Sequence, residues 1–533
     1  MSSLADGEWH RLHPATPLLR GGIFVFAAIG FILANLRERV LDVVFGIPVG
    51  SADPLEEIYR RGSVGWALLA VAGALVVILI AFSLSWRAHT FRVNDEIVEV
   101  RSGIVFRSNR KARLDRIQGV NIERPLIPRL FGAAKLEVSV AGQDANVPLA
   151  YLGSARADEL RRDILRLASG ARRPAAESVE PAREPGEGPS EPGVTVGGFA
   201  RDRVVEFLAP ELDPDAAPPE SVVRIPPARL FGSIVLSGFT VFLLVGVIAL
   251  AVGGAIGSSG WLQIAIVPAL IGSAGYFLSR LTRSLRFSIA GTQDGVRVGF
   301  GLLSTSNETL PPGRVHAIGI SQPLLWRPFG WWQVRINKAG RSVSQGAAGE
   351  AGTTVLPVGT AADVARVLEL ILPGYTGEEQ GAVIESGMHS RGGSDGFINA
   401  PRRAAWLRPF SWRRTGYAVS AGAVLLRRGV LARELVLVPL ARLQSVAISQ
   451  GPVRRRLGLA TARLHTVTGP VSATLGVIDA GEAVRLLETV SAGAVTSADS
   501  DTSHHWSRIP QAPAPSPRPA VSPVGPPATE VTS

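Results

Sequence analysis

The chain has 533 residues, of which 46% are apolar, and it carries a formal charge of +11 at neutral pH. That length suggests three or four domains, and a mean hydropathy of +0.23 points to membrane segments. No Cys occurs, which excludes disulfides, Cys-based metal sites and Cys nucleophiles. The charge rests almost wholly on Arg, since Lys occurs only at Lys111, Lys135 and Lys338. An Arg- and Ala-rich, Lys-poor composition reflects a GC-rich bacterial genome more than phosphate binding. The excess positive charge still favours anionic partners, a lipid surface or nucleic acid.

Residues 1–17 are polar, and no small-residue cleavage site follows them, which argues against a removed signal peptide. Residues 18–86 read as a first transmembrane hairpin. Gly21 to Leu36 and Ser63 to Trp86 are free of charge, and a mixed-charge loop joins them. Residues 87–168 alternate apolar and polar positions with turn residues between, as short antiparallel strands do. Residues 169–228 form a Pro-rich linker, with short strands expected only at 193–208. Residues 229–281 form a second hairpin, for Leu230 to Ser279 contains no charged residue. A second strand-rich unit follows at 282–373, a flexible Gly/Ser-rich linker at 374–404 and a third unit at 405–492. Residues 493–533 are expected to be a disordered tail. The third unit has no hairpin; AWLRPFSW, Ala405 to Trp412, stands where it would be.

One stretch is written three times: LDRIQGVNIERPLIPRLFG, PGRVHAIGISQPLLWRPFG and LARLQSVAISQGPVRRRLG. Arg116, Arg314 and Arg442 lie at one fixed interval before Gly132, Gly330 and Gly458, and at another after Gly103, Gly301 and Gly429. Each copy ends in an amphipathic run, so the units are copies of one domain. Basic residues flank both hairpins on one side, with Arg11, Arg20, Arg87 and Arg92 around the first and Arg224, Arg229, Arg280, Arg283 and Arg286 around the second. That pattern places both termini and all three repeats in the cytosol of a bacterial plasma membrane.

Two apolar spans followed by an Arg-[Ile/Val] strand core and Pro-Leu-[Ile/Leu]-x-Arg-x-Phe-Gly resemble the bacterial membrane-associated PH-like domain family (YdbS/YdbT-like membrane proteins). The residues that carry the resemblance are Arg116, Ile117, Val120, Ile122, Pro125, Leu126, Arg129, Phe131 and Gly132, and in the second repeat Arg314, Val315, Ile318, Ile320, Pro323, Leu324, Arg327, Phe329 and Gly330. The third repeat departs, with Gly451-Pro452 for the Pro-Leu pair and Leu457 for Phe. The resemblance implies an α+β membrane protein: four transmembrane helices in two hairpins and three PH-like β-barrel or sandwich domains, each closed by a C-terminal helix.

The candidate lipid or partner contacts are Arg107, Arg110, Lys111 and Arg113 in the first repeat. In the third they are Arg427, Arg428, Arg433, Arg454, Arg455 and Arg456, with Trp406 and Trp412 as interfacial anchors. A solvated loop is the competing reading for the basic turns. Arg116, Arg314 and Arg442 could bind phosphate, but their recurrence with Gly132, Gly330 and Gly458 favours a structural role. No HExxH, G-x-S-x-G or P-loop occurs, so no enzyme, cofactor or metal is expected. The expected function is a cytosolic platform for the lipid bilayer, anionic phospholipid headgroups, a smaller PH-like membrane protein or a second copy, with no nucleic acid. Transport, or defence against membrane-active peptides, is the alternative.

Overall fold

A computed structural model of the protein describes residues 4–13, 107–141, 146–169, 222–255 and, almost throughout, 352–501, with most positions of 73–103 and 272–340. The first repeat opens with the short β1 (His10–Arg11) and continues with β2 (Thr90–Val93), β3 (Ile97–Ser102) and β4 (Ser108–Arg113). Then come β5 (Ile117–Arg124), the short α1 (Leu126–Leu130), β6 (Ala133–Val140), β7 (Val147–Gly153) and the closing α2 (Ser154–Ala168). The second repeat uses β8 (Val222–Arg224), then α3 (Pro227–Val235) and α4 (Gly238–Ala255), then β9 (Ser288–Thr292), β10 (Gly295–Phe300) and β11 (Thr305–Leu310). It ends with β12 (Val315–Gln322), a 3-10 turn Leu324–Phe329, β13 (Trp332–Lys338), β14 (Thr354–Gly359) and α5 (Ala361–Ile371). After α6 (Glu378–His389) the third repeat has β15 (Ile398–Asn399), β16 (Gly416–Ser420), β17 (Ala423–Arg428) and β18 (Arg433–Pro439). It closes with β19 (Ser445–Ser449), α7 (Pro452–Arg456), β20 (Leu459–His465), β21 (Thr474–Asp479) and α8 (Ala480–Asp499).

Each repeat is thus strand-rich with one closing helix, as expected. The three are not separate barrels, however, because neighbouring repeats share sheets. One seven-stranded sheet runs β7-β6-β5-β11-β10-β9-β8, and a second runs β14-β13-β12-β18-β17-β16-β15. In both, the first strand of a repeat's C-terminal half pairs antiparallel with the third long strand of the next repeat. The register is the same: Val120 faces Thr309, and Ile318 faces Leu437. A four-stranded sheet, β1 to β4, and a three-stranded sheet, β19 to β21, complete the two ends. The first junction is polar, with Thr305, Asn307, Glu308 and Thr309 buried. The second is apolar: Leu435 and Leu437 of the third repeat lie in the core of the second.

The recurring glycines have a backbone reason. Gly132, Gly330 and Gly458, at φ 64°, 63° and 59°, end the turn after each junction strand in the left-handed region, which L-residues with a Cβ enter only at a cost. Gly103, Gly301 and Gly429 are also left-handed, in the hairpin before the junction strand. A Cβ on Gly301 or Gly429 would stand 2.0 Å from a backbone carbonyl oxygen across the turn.

Several sequence expectations change. The short strands β1 and β8 precede the expected hairpins, so the segments expected as hairpins, 18–86 and 229–281, stand in the chain between β1 and β2 and between β8 and β9. Residues 374–404 are not a bare linker: α6 buries Ile384 and Met388, and Gly387 abuts Leu435 and Phe397. The closing helix of the third repeat runs past residue 492 to Asp499. The expected strands at 193–208, most of the first hairpin and the second half of the other lie outside the described residues. Among the described residues no helix is long and apolar enough to cross a membrane. The 18 described residues of α4 extend about 27 Å, short of a hydrocarbon core of roughly 30 Å.

Lys338 and Glu308 are 1% and 3% exposed and form an ion pair that ties the two halves of the second repeat. Glu308→Ala removes the carboxylate from this buried ion pair and should cost about 3–5 kcal/mol. The check is the denaturant midpoint followed by Trp fluorescence, and an unchanged midpoint would contradict the pairing.

Candidate membrane and partner interface

Of the basic residues singled out in the first repeat, Lys111 lies beside a buried carboxylate. Glu99 on β3 is 0% exposed. It accepts from Arg92 at 3.0 Å and Asn109 at 2.9 Å, with Lys111 at 3.7 Å. Burial alone would raise its pKa, but these hydrogen bonds and the charges of Lys111 and Arg101 hold it below the usual carboxylate value. Arg101 and Arg92 also lie over the Trp9 ring, tying the N-terminal segment to the sheet. Arg113 is bidentate to Asp115 at 3.1 and 3.0 Å, Arg110 donates to the Asn146 carbonyl at 3.1 Å, and Arg107 is exposed. A cleft of about 390 Å³ opens beside Arg110, Ser102, Ser108, Lys135 and Tyr151. Its Lys135 pKa is pulled down by burial and more than restored by Glu123 and Glu137.

In the third repeat the expected contacts divide. Arg427 is a correction, since it is 0% exposed and cannot meet a bilayer. It pairs with Asp395, donates to Asn399 and the Arg414 carbonyl, and lies over Phe397 at 4.4 Å. Arg428 is bidentate to Glu434 at 2.7 and 2.9 Å and also reaches the Thr474 carbonyl. Arg433 stands at the second junction and donates to Gln322 at 3.4 Å. Arg455 and Arg456 are exposed and Arg454 half-buried on the short α7. Arg414, which the sequence did not single out, donates to the Gly387 and Met388 carbonyls at the end of α6. Burial and the charges of Arg427, Arg433 and Arg327 push its pKa down to about 9.

Two of the signature arginines make contacts within the protein. Arg314 donates to the Asp115 carbonyl of the first repeat at 3.2 Å, and Arg442 pairs with Asp501. Burial, then the neighbouring Arg442, lowers the Arg314 pKa. Arg116 remains exposed beside them.

The first two repeats present an apolar turn after the receiving strand, where the third carries Arg454, Arg455 and Arg456. Leu130 and Phe131 are 56% and 53% exposed, and Leu324 and Phe329 are 49% and 53%. In the second repeat this turn lies against the C-terminal half of α3: the Trp326 ring N–H donates to the Ser233 carbonyl at 3.2 Å, and Trp331 abuts Gly232. Beyond α3, α4 exposes Phe242, Leu244, Val245 and Ile248. In the third repeat the place of α3 and α4, between β15 and β16, is taken by two 3-10 turns, Arg402–Trp406 and Trp412–Arg414. Arg403, on the first, pairs with Asp479 and donates to the Gly458 carbonyl. Trp412 is half-buried, packed with Ala404, Leu459 and Val477. Trp406 and Phe410 project, at 85% and 86% exposed. Phe410 was legible only as part of AWLRPFSW, because no pattern separates an exposed aromatic from a buried one in a segment without periodicity. Among the described residues, no group of three or more His, Asp or Glu is arranged to hold a metal ion.

The family model described as "Bacterial PH domain" matches residues 40–168, 232–372 and 396–494. The UPF0699 transmembrane protein YdbT of Bacillus subtilis (strain 168) is 23% identical over 324 residues, covering 58% of this chain. The match spans 61% of that protein's length. No solved structure matches.

Arg427→Ala should destabilise the chain by about 3–5 kcal/mol, because the half-buried Asp395, Asn399 and the Arg414 carbonyl all lose their donor. Replacing Arg454 and Arg456 by Ala should stay within about 0.5 kcal/mol. Equal effects in a thermal or denaturant scan would contradict the division into buried and surface arginines.

Proposed function

Because the chain belongs to the bacterial PH domain family, we propose that it is a non-catalytic, multi-pass membrane protein whose three PH-like repeats form one cytosolic platform. Its targets on this reading are protein partners and anionic lipid. Four helices in two hairpins carry it, and both termini lie in the cytoplasm. The uncharged α4, with its apolar side chains exposed, supports this for the second repeat, since a helix apolar all round belongs in an apolar environment. The name of the Bacillus relative supports membrane association in general.

The observation that carries the reading is the loop between β15 and β16. It fills the slot that holds α3 and α4 in the second repeat, and its tip bears Trp406 and Phe410. An exposed aromatic pair at that position suits the headgroup region, where amphipathic rings are favoured. Arg454 and Arg456, on the adjoining α7, would each gain roughly 1 kcal/mol from an anionic surface. On this reading a short dipping loop does for the third repeat what a hairpin does for the others, and the whole array lies along the membrane.

Phe410→Cys gives a single thiol in a chain without Cys, so a probe there reports one site. In the full chain reconstituted into anionic vesicles, the probe should be quenched by a lipid-confined quencher. Quenching should weaken when Arg454 and Arg456 are changed to Gln, or in neutral vesicles. Equal quenching by a purely aqueous agent in every vesicle would overturn the membrane contact.

A further inference from the structure

The array has two ends, and they differ. At one end β4 is a sheet edge; at the other β19 is. In repeat order β4 corresponds to β11 and β18, the strands that dock, and β19 corresponds to β5 and β12, the strands that receive them. Sheet edges are ordinarily guarded by charge, Pro or bulges. β4 is guarded, with Arg110, Lys111 and Arg113 in six residues. β19, Ser-Val-Ala-Ile-Ser, has neither charge nor Pro. Its register with β20 is unbroken, and its outward Ser445, Ala447 and Ser449 are exposed.

A second feature marks the same end. Arg327, on the turn after β12, donates across the junction to the Leu431 carbonyl in the hairpin that leads into the incoming β18. Arg129 holds the same place in the first repeat and is 5% exposed. Arg455 holds it in the third repeat and is exposed. The receiving strand and its arginine are therefore both in place, without an incoming strand among the described residues.

We infer that the β19 edge with Arg455 is an acceptor for one further β-strand, supplied antiparallel by a PH-like unit of another protein. The two internal junctions fix the register: the residue facing Val446 takes the place of Thr309 and Leu437. They also fix the chemistry. β11 carries Glu308 and no base, whereas the β19 edge is flanked by Arg463, opposite Ala447, and by Arg455 and Arg456. A neutral or acidic strand fits that surface. The β4 of a second copy does not, because the register sets Lys111 against Val446, on the face that packs toward the core, and Arg110 beside Arg463. Strand addition supplies affinity through backbone hydrogen bonds, and alternate side chains supply the choice of partner.

The inference rests on the platform reading for the class of partner, and its test is separate from the membrane one. The purified full chain is titrated with a peptide of residues 304–311, which contains β11, and amide exchange is followed at Ser445–Ser449. Exchange should slow by about tenfold once peptide exceeds its Kd by that factor, while a peptide of residues 107–114, which contains β4, leaves it unchanged. Ala447→Lys should abolish the slowing yet leave the Phe410 probe quenched as before. Absence of slowing at saturating peptide, equal slowing by the β4 peptide, or a concentration-dependent dimer with the same protected amides would overturn the inference.

Discussion

The structure depends on backbone pairing between repeats. β5 with β11 and β12 with β18 turn three sandwiches into one body. The identical register of the two pairings means that each repeat is set on its predecessor in the same way. A one-residue slip would turn every side chain of the docking strand to the opposite face. At the second junction it would take Leu435 and Leu437 out of the core. At the first it would bring Asn307 and Thr309 out of their buried places and separate Ser306 from Asn121, whose side chains meet at 2.9 Å. A polar and an apolar junction in one chain also keep the repeats from exchanging places.

This arrangement explains what the repeated motif is for. The motif spans the segment that carries the signature Arg, the receiving strand and the turn ended by a left-handed glycine. It is the receiving half of a junction. Arg314 reaching the first repeat and Arg327 reaching the third are the polar fastenings at its two ends. Recurrence in register therefore reflects assembly geometry, which is the same in each repeat, and leaves each repeat free to differ in what it touches at its surface.

Much of this was legible in the residues. Alternating strands, glycine spacing and the amphipathic closing runs gave the number of repeats and their α+β character. Sheet sharing was not legible, because Thr305–Leu310 and Arg433–Pro439 look like ordinary hairpin strands, and pairing partners leave no mark in a single sequence. Arg427 looked like its surface neighbours, since burial of an Arg depends on Asp395 and Asn399 arriving from a segment whose composition read as linker. The basic turn of the first repeat was visible, but not the buried Glu99 that already neutralises part of it. AWLRPFSW was visible where the third repeat lacks a long apolar segment, and the fold adds that it stands between β15 and β16, as the long apolar segments stand between β1 and β2 and between β8 and β9.

The most direct measurement of the central claim is cysteine cross-linking across the junctions, which the Cys-free chain allows without background. Glu123 faces Ser306, and Ser321 faces Glu434, on the half-buried outer side; directly opposed positions lie about 4.5–5.5 Å apart at Cβ. Each Cys pair should close a disulfide within one chain on mild oxidation, while Glu123→Cys combined with Thr305→Cys, one residue out of register and on the other face, should not. Closure of the slipped pair, or closure of neither true pair, would contradict a body built on shared sheets.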